Sequence, residues 1–95
     1  MINFTWDPRK DLTNQQKHGV SFKEAATVFL DEYALIEYDE LHSENEDRYR
    51  IIGSSIDGIV LIVVHCIRET DTIRIISART ATQTERNGYE RSKYL

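Results

Sequence analysis

The chain has 95 residues, 40 % hydrophobic and 29 % charged, which fits one ordinary globular domain spanning residues 1–95 and excludes a low-complexity or disordered protein. Its net charge of -4 counts against a protein that coats nucleic acid through bulk positive charge. That average conceals an asymmetry: residues 1–65 carry six basic and twelve acidic side chains, whereas residues 66–95 carry six basic and four acidic, so an anion site is expected near the end.

In chain order, Ile2–Trp6 alternates as a short strand, and Asp7-Pro8 stops it while supplying an N-cap and first helical position. The helix that follows runs polar to His18, where Gly19 caps it. Leu12 is nearly its only apolar residue, so it is expected to be a surface helix with little packing of its own. Ser21 and Glu24 form a capping-box pattern ahead of a second helix to Leu30, whose Phe22, Ala25, Ala26 and Phe29 fall on one stripe. From Tyr33 the period becomes two, predicting a half-exposed strand to Asp39. Leu41–Asp47 reads as a polar loop. Arg48–Ser55 alternates again, with Arg48, Arg50 and Ile52 opposite Tyr49 and Ile51. Asp57-Gly58 between Ile56 and Ile59 predicts a hairpin with a type I′ turn. Ile59–Ile67 and Ile73–Ala78 are apolar on both parities, as expected of strands covered on two faces. Thr82 and Glu85 form a second capping box, opening a C-terminal helix too poor in apolar residues to cover a whole sheet face. The expected class is therefore α+β, in the order β-α-α-β-β-β-β-α with a largely antiparallel sheet, and the uncovered face predicts a partner.

Cys66, the one cysteine, is expected to be a buried thiol. No apolar run approaches the roughly 20 residues needed to cross a bilayer, and the N-terminus does not read as a signal peptide, so no membrane association and a cytoplasmic location are expected.

Three constellations could carry chemistry. Arg74, Arg79, Arg86, Tyr89 and Lys93 cluster at the last strand and helix. There, guanidinium groups and free helix-terminal amides could hold a phosphate, or the cations could simply form a solvated face paired with Glu85 and Glu90. Lys17-His18 closes the first helix, where an imidazole could move protons or merely complement the helix's negative end. His42, Glu44 and Glu46 could share a face as metal ligands, but no metal-binding spacing supports them, and neither a metal nor another cofactor is expected. His65, inside an apolar strand, reads as a hydrogen-bonded core histidine.

Read together, FTWDPRK, then N-x-x-KHGVSFKEA-x-x-VF at Asn14–Phe29, Asp31, E-x-R at Glu46–Arg48, and RIISAR followed by ER-x-x-Y at Arg74–Tyr89 resemble the BrnT family of toxins over nearly the whole chain. The resemblance implies a RelE-like fold and ribonuclease toxicity held in check by a cognate BrnA-type antitoxin. It also implies a toxin–antitoxin oligomer that reaches operator DNA only through the antitoxin. The low overall charge and the stretch Asp31–Asp47, with eight carboxylates and no Lys or Arg, argue against strong unassisted RNA binding.

Metal-independent RNA cleavage by the neighbouring 2′-hydroxyl needs a base, a cationic stabiliser and an acid. Arg79 with Arg74 or Arg48 could stabilise the phosphate, and His18, Glu46, Glu85 or Tyr89 could transfer protons. Lys17, Arg86 and Lys93 could bind the RNA backbone, and Trp6 could stack on a base or belong to the core. Arg74 and Arg79, five positions apart, point to opposite faces of a regular strand, so both can serve one site only if the strand ends or bulges between them. The alternative is a non-enzymatic module that binds protein or RNA.

Overall fold

The computed structural model describes residues 2–95, and the expected order of elements is the observed one. Strand β1 (Asn3–Thr5) leads through helices α1 (Pro8–His18) and α2 (Phe22–Thr27), a 3₁₀ turn at Val28–Leu30 and strand β2 (Leu35–Tyr38). A second 3₁₀ turn at Glu40–His42, strands β3 (Tyr49–Ser54), β4 (Val60–Arg68) and β5 (Thr72–Thr80), and helix α3 (Gln83–Ser92) complete the chain. The sheet order is β1-β5-β4-β3-β2, with β1 parallel to β5 and every other pair antiparallel. Among the described residues no helix is long and apolar enough to cross a membrane.

The helix ends obey their local chemistry. The Asp7 side chain accepts the Arg9 amide, Pro8 opens α1 and Gly19 closes it at φ 68°. Thr82 and Glu85 complete a reciprocal capping box on α3. At α2, Ser21 accepts the Glu24 amide, but the Glu24 carboxylate turns to the Ser55 hydroxyl at 2.9 Å, so only half of that expected box forms. The hairpin turn differs from the expected type I′. Only Gly58 has positive φ, and the Gly58 amide donates to Ser55 while the Ser55 amide donates to Ile59, the pattern of a type I turn closed by a glycine bulge.

One sheet face carries the main core: Ile51, Leu61, Val63, Ile75 and Ala78 pack under Val20, Phe22, Ala25 and Val28, with Phe4, Trp6 and Phe29 at its margin. His65 lies buried on this face, edge-on to Phe29 at 4.8 Å. On the other face α3 covers only one end, where Tyr89 and Ala81 meet Val60, Ile62 and Ile52. Tyr89 also fastens α3 to the chain after α2 through a hydrogen bond from its hydroxyl to Asp31, whose carboxylate accepts the Ser54 and Tyr33 amides as well. Gly53 sits beneath this junction because an added Cβ would come within 2.9 Å of Val28 and 3.1 Å of Asp31.

Helix α1 has an anchor that its polar sequence conceals. Asn14 is buried, accepts the Ala78 amide at 3.1 Å and donates to the Ala78 carbonyl at 2.7 Å and to the Val20 carbonyl at 2.8 Å. Strand β1 pairs with β5 only at Thr72–Arg74. Past that point the Asn14 amide substitutes for a neighbouring strand and satisfies both backbone groups of Ala78.

Candidate functional site

Strand β5 does bulge. Val64 pairs with Ser77 but His65 pairs with Ile75, so Ile76 is left without a partner and the alternation shifts by one. Residues opposite one another in a ladder share a face, and Arg74 lies opposite Cys66, Ser77 opposite Val64, and Arg79 opposite Ile62. Cys66, Val64 and Ile62 are two apart on a regular strand and point the same way. The five-residue spacing that would separate Arg74 from Arg79 is thereby corrected, and both belong to the face that α3 covers incompletely. Arg50 joins them, because it lies opposite Val64 on β3.

A groove of about 330 Å³ opens there, lined by His18, Arg50, Ile62, Val64, Ser77, Ala78 and Arg79. At its wall Arg79 grips Glu85 of α3 through two hydrogen bonds of 2.8 and 3.0 Å. Farther along the sheet, outside the groove lining, Arg68 of β4 grips Glu46 of the loop before β3 through two bonds of 3.1 Å. Half-buried Val64 marks the open middle. Arg50 is held by Glu37 and Asp39 at 3.0 and 3.1 Å. Arg74 makes no ion pair or side-chain hydrogen bond among the described residues, which leaves its guanidinium available to an incoming anion.

The expected proton carriers separate by environment. The Arg79 guanidinium brings the Glu85 carboxyl down to about 2, and the Arg68 guanidinium holds Glu46 below its ordinary value, so both are carboxylates at neutral pH. Burial and the adjacent Asp31 push the Tyr89 hydroxyl well up, and it keeps its proton. Tyr89 is a core residue, so of the expected cluster of Arg86, Tyr89 and Lys93 the phenol is not free to meet a ligand. Lys93 lies 4.7 Å over the Tyr89 ring and pairs with Glu90, while Arg86 stays exposed on α3. Trp6 packs edge-on against Phe22 at 6.2 Å and belongs to the core margin. His18 is exposed and lines both the main groove and a second one beside α1, which it shares with Lys10, Lys17 and bulged Ile76. Arg48 and Glu46 line a neighbouring groove with His42 and Glu44. Among the described residues no three His, Cys, Asp or Glu side chains converge as a metal site.

Arg50, Ser77 and Asn14 were absent from the expected site. For Arg50 the signal was its shared parity with Arg48, whereas nothing in the run Ile73–Ala78 reveals a bulge.

Three titrating groups push stability in one direction. Burial opposes the Asp31 charge, but the Tyr89 hydroxyl and the Ser54 and Tyr33 amides outweigh it and hold the carboxyl below its ordinary 3.8. Glu85 is depressed from 4.5 to about 2, and burial lowers His65 from 6.5. A depressed folded-state pKa means that the unfolded chain binds the proton first on acidification, so stability is full above the unfolded value and falls below it. Denaturant titrations should therefore give a flat unfolding free energy from about pH 7 to the onset of tyrosine ionisation near 10, where the raised Tyr89 hydroxyl makes stability fall again, with a first loss below 6.5 from His65 and a steeper loss below 4.5. In Glu85→Gln the steeper loss should shrink.

The profile of a family described as the ribonuclease toxin, BrnT, of type II toxin-antitoxin systems matches residues 6–85. The fold is similar to the 1.1 Å crystal structure of the Brucella abortus ribonuclease toxin, BrnT, with a TM-score of 0.69 and 24 % identity over 87 % of this chain and 100 % of that one. No curated protein matches significantly.

Proposed function

This chain belongs to the BrnT family of type II ribonuclease toxins, and from that premise we propose that it cleaves RNA without a metal ion, on the open sheet face, by attack of a 2′-hydroxyl on the adjacent phosphate. The β-bulge at Ile76 carries the reading, because it turns Arg74, Ser77 and Arg79 to one sheet face, where Ser77 and Arg79 line a groove with Arg50 and His18.

The reaction removes the 2′-hydroxyl proton, forms the O2′–P bond, breaks the P–O5′ bond and protonates the departing 5′-oxygen. The products are a 2′,3′-cyclic phosphate and a 5′-hydroxyl. Negative charge gathers on the non-bridging oxygens, and guanidinium donors placed beforehand stabilise it more than they stabilise the substrate. Arg74, farther along the same face, offers all its donors to the RNA backbone. Arg79 and Arg50 keep part of their forks occupied by carboxylates, which fixes their planes at the groove wall. With Glu46 and Glu85 held as ion-paired carboxylates and Tyr89 held as a phenol, His18 is the proton-transfer group of this groove. It gives a proton to the 5′-oxygen, and Lys17 beside it attracts the RNA backbone.

A cognate BrnA-type antitoxin restrains this activity in the cytoplasm and alone contacts the operator DNA. The edge strand β2 and α3 offer it a second groove, about 370 Å³, lined by Leu35, Ile36, Ile52 and Ile62 and continuous with the cleavage groove through Arg50.

The antitoxin-free chain, incubated with RNA in excess chelator, should yield discrete fragments. RNA left intact by a folded chain, with or without ribosomes, would contradict the reading. A stoichiometric complex without cleavage would favour the rival, a non-enzymatic binding module, for which the exposed apolar edge of β2 is the supporting observation.

A further inference from the structure

One imidazole cannot both accept the 2′-proton and donate to the 5′-oxygen within a single displacement, so the groove described above needs a second proton carrier. The structure contains a histidine suited to it in the loop after β2. Asp39 is buried, with a side chain only 3 % exposed, and its carboxylate lies 3.0 and 3.2 Å from Nδ1 of His42. The same carboxylate accepts a hydrogen bond of 3.1 Å from Arg50, a residue of the cleavage groove. Asp39 stands at the N-cap of the 3₁₀ turn Glu40–His42, yet its side chain caps no amide. A buried carboxylate is costly without partners, and here the partners are an imidazole and a groove arginine rather than the helix end.

We infer that His42 is the general base of the cleavage reaction and that Asp39 is the residue that positions it, an inference that rests on the ribonuclease reading. A carboxylate bonded to Nδ1 fixes the tautomer with the proton on that nitrogen and leaves the Nε2 lone pair outward, and it stabilises the imidazolium once Nε2 takes the 2′-proton. The side chain of His42 is 63 % exposed, which leaves Nε2 room to meet a substrate. Arg48 lines the same cavity of about 360 Å³ and makes no ion pair among the described residues, so a phosphate donor stands beside the base. Arg50 lines the groove holding His18 and is hydrogen-bonded to Asp39, the carboxylate that holds His42. RNA laid across β3 would thus meet His42 and Arg48 on one side of Arg50, and His18 and Arg79 on the other.

The test compares the whole chain with His42→Ala in RNA cleavage under excess chelator. Because the side chain is exposed, the variant should unfold at the same temperature as the unaltered chain. Its cleavage rate should fall roughly 100-fold or more, and imidazole added to the buffer should restore part of it. Asp39→Asn should lower kcat with little change in KM. Cleavage by His42→Ala within about threefold of the unaltered chain, or a loss that imidazole does not restore, would overturn the role of His42 and leave the ribonuclease reading standing. Failure of the unaltered chain to cleave RNA would overturn both.

Discussion

Arg79→Ala is expected to abolish detectable RNA cleavage while leaving a folded chain. Removing one donor aimed at developing charge costs roughly 10²–10³ in rate in comparable sites. Here the truncation also frees Glu85, so a bare carboxylate is left facing the phosphate and adds repulsion. The structural cost is smaller. The Arg79–Glu85 pair is partly exposed, at 42 % and 32 % for the two side chains, and exposed pairs contribute about 0–1 kcal/mol. Glu85 retains its bond to the Thr82 amide, so the cap of α3 survives. Arg74→Ala should behave similarly in rate with even less effect on stability, since Arg74 makes no ion pair among the described residues. The two assays are a cleavage time course and a thermal melt on the same preparations. Cleavage retained by Arg79→Ala would move the phosphate site off this face.

Asn14→Ala should be among the most destabilising single substitutions in the chain. It removes three buried hydrogen bonds and leaves the Ala78 amide and carbonyl and the Val20 carbonyl without partners. Buried orphans of this kind cost about 1–3 kcal/mol each in the worst geometry, and relaxation with water entry brings the expected total to roughly 2–4 kcal/mol. For a domain of this size that corresponds to a fall of about 10–20 °C in Tm. Asn14→Asp should also be destabilising, because a carboxylate cannot donate to either carbonyl. The substitution should impair cleavage beyond its effect on folding, since Asn14 ties α1, with His18 at its end, to β5 one residue before Arg79. A melt unchanged within 2 °C, roughly half a kcal/mol, would mean that α1 docks by other contacts.

The sequence announced what depends on neighbours in the chain. Asp7-Pro8 and Gly19 marked both ends of α1, Thr82 and Glu85 the start of α3, and the two apolar parities of β4 its burial on both faces, whereas β5, expected to be covered likewise, buries only Ile75 and Ala78 on the main-core face. Features set by tertiary partners were hidden. Ile75 and Ile76 are identical residues, so no change of pattern betrays the bulge between them, although the clash of parity between Arg74 and Arg79 showed that a bulge was needed. Asn14 looked like one more polar residue of a surface helix, because an amide that completes a sheet edge has no apolar signature. Tyr89 was read from its helical spacing to Arg86 and Lys93 as a phenol flanked by cations and able to transfer a proton. Burial against Ile52 and Ile62, together with the carboxylate of Asp31 fifty-eight positions away, decided otherwise. His42 was weighed with Glu44 and Glu46 as a metal ligand in an extended loop. The 3₁₀ turn instead winds it back toward Asp39, three positions before it, which an extended backbone would have kept apart.

The charge pattern gains a physical meaning from the fold. Many carboxylates of the acidic stretch 31–47 hold something in place: Asp31 holds Tyr89, Glu37 and Asp39 hold Arg50, and Glu46 holds Arg68. A chain of net charge -4 can therefore present a basic groove, since the acids fix the arginines rather than merely cancelling them at a distance.

The central claim is that RNA's own 2′-hydroxyl is the nucleophile, and the most direct measurement is the chemistry of the new ends. Fragments produced in excess chelator should carry 5′-hydroxyl groups, accept phosphate from a polynucleotide kinase without prior dephosphorylation, and end in 2′,3′-cyclic phosphate on the other side. Fragments carrying 5′-phosphate and 3′-hydroxyl ends would mean that water attacks the phosphorus, and would contradict the account.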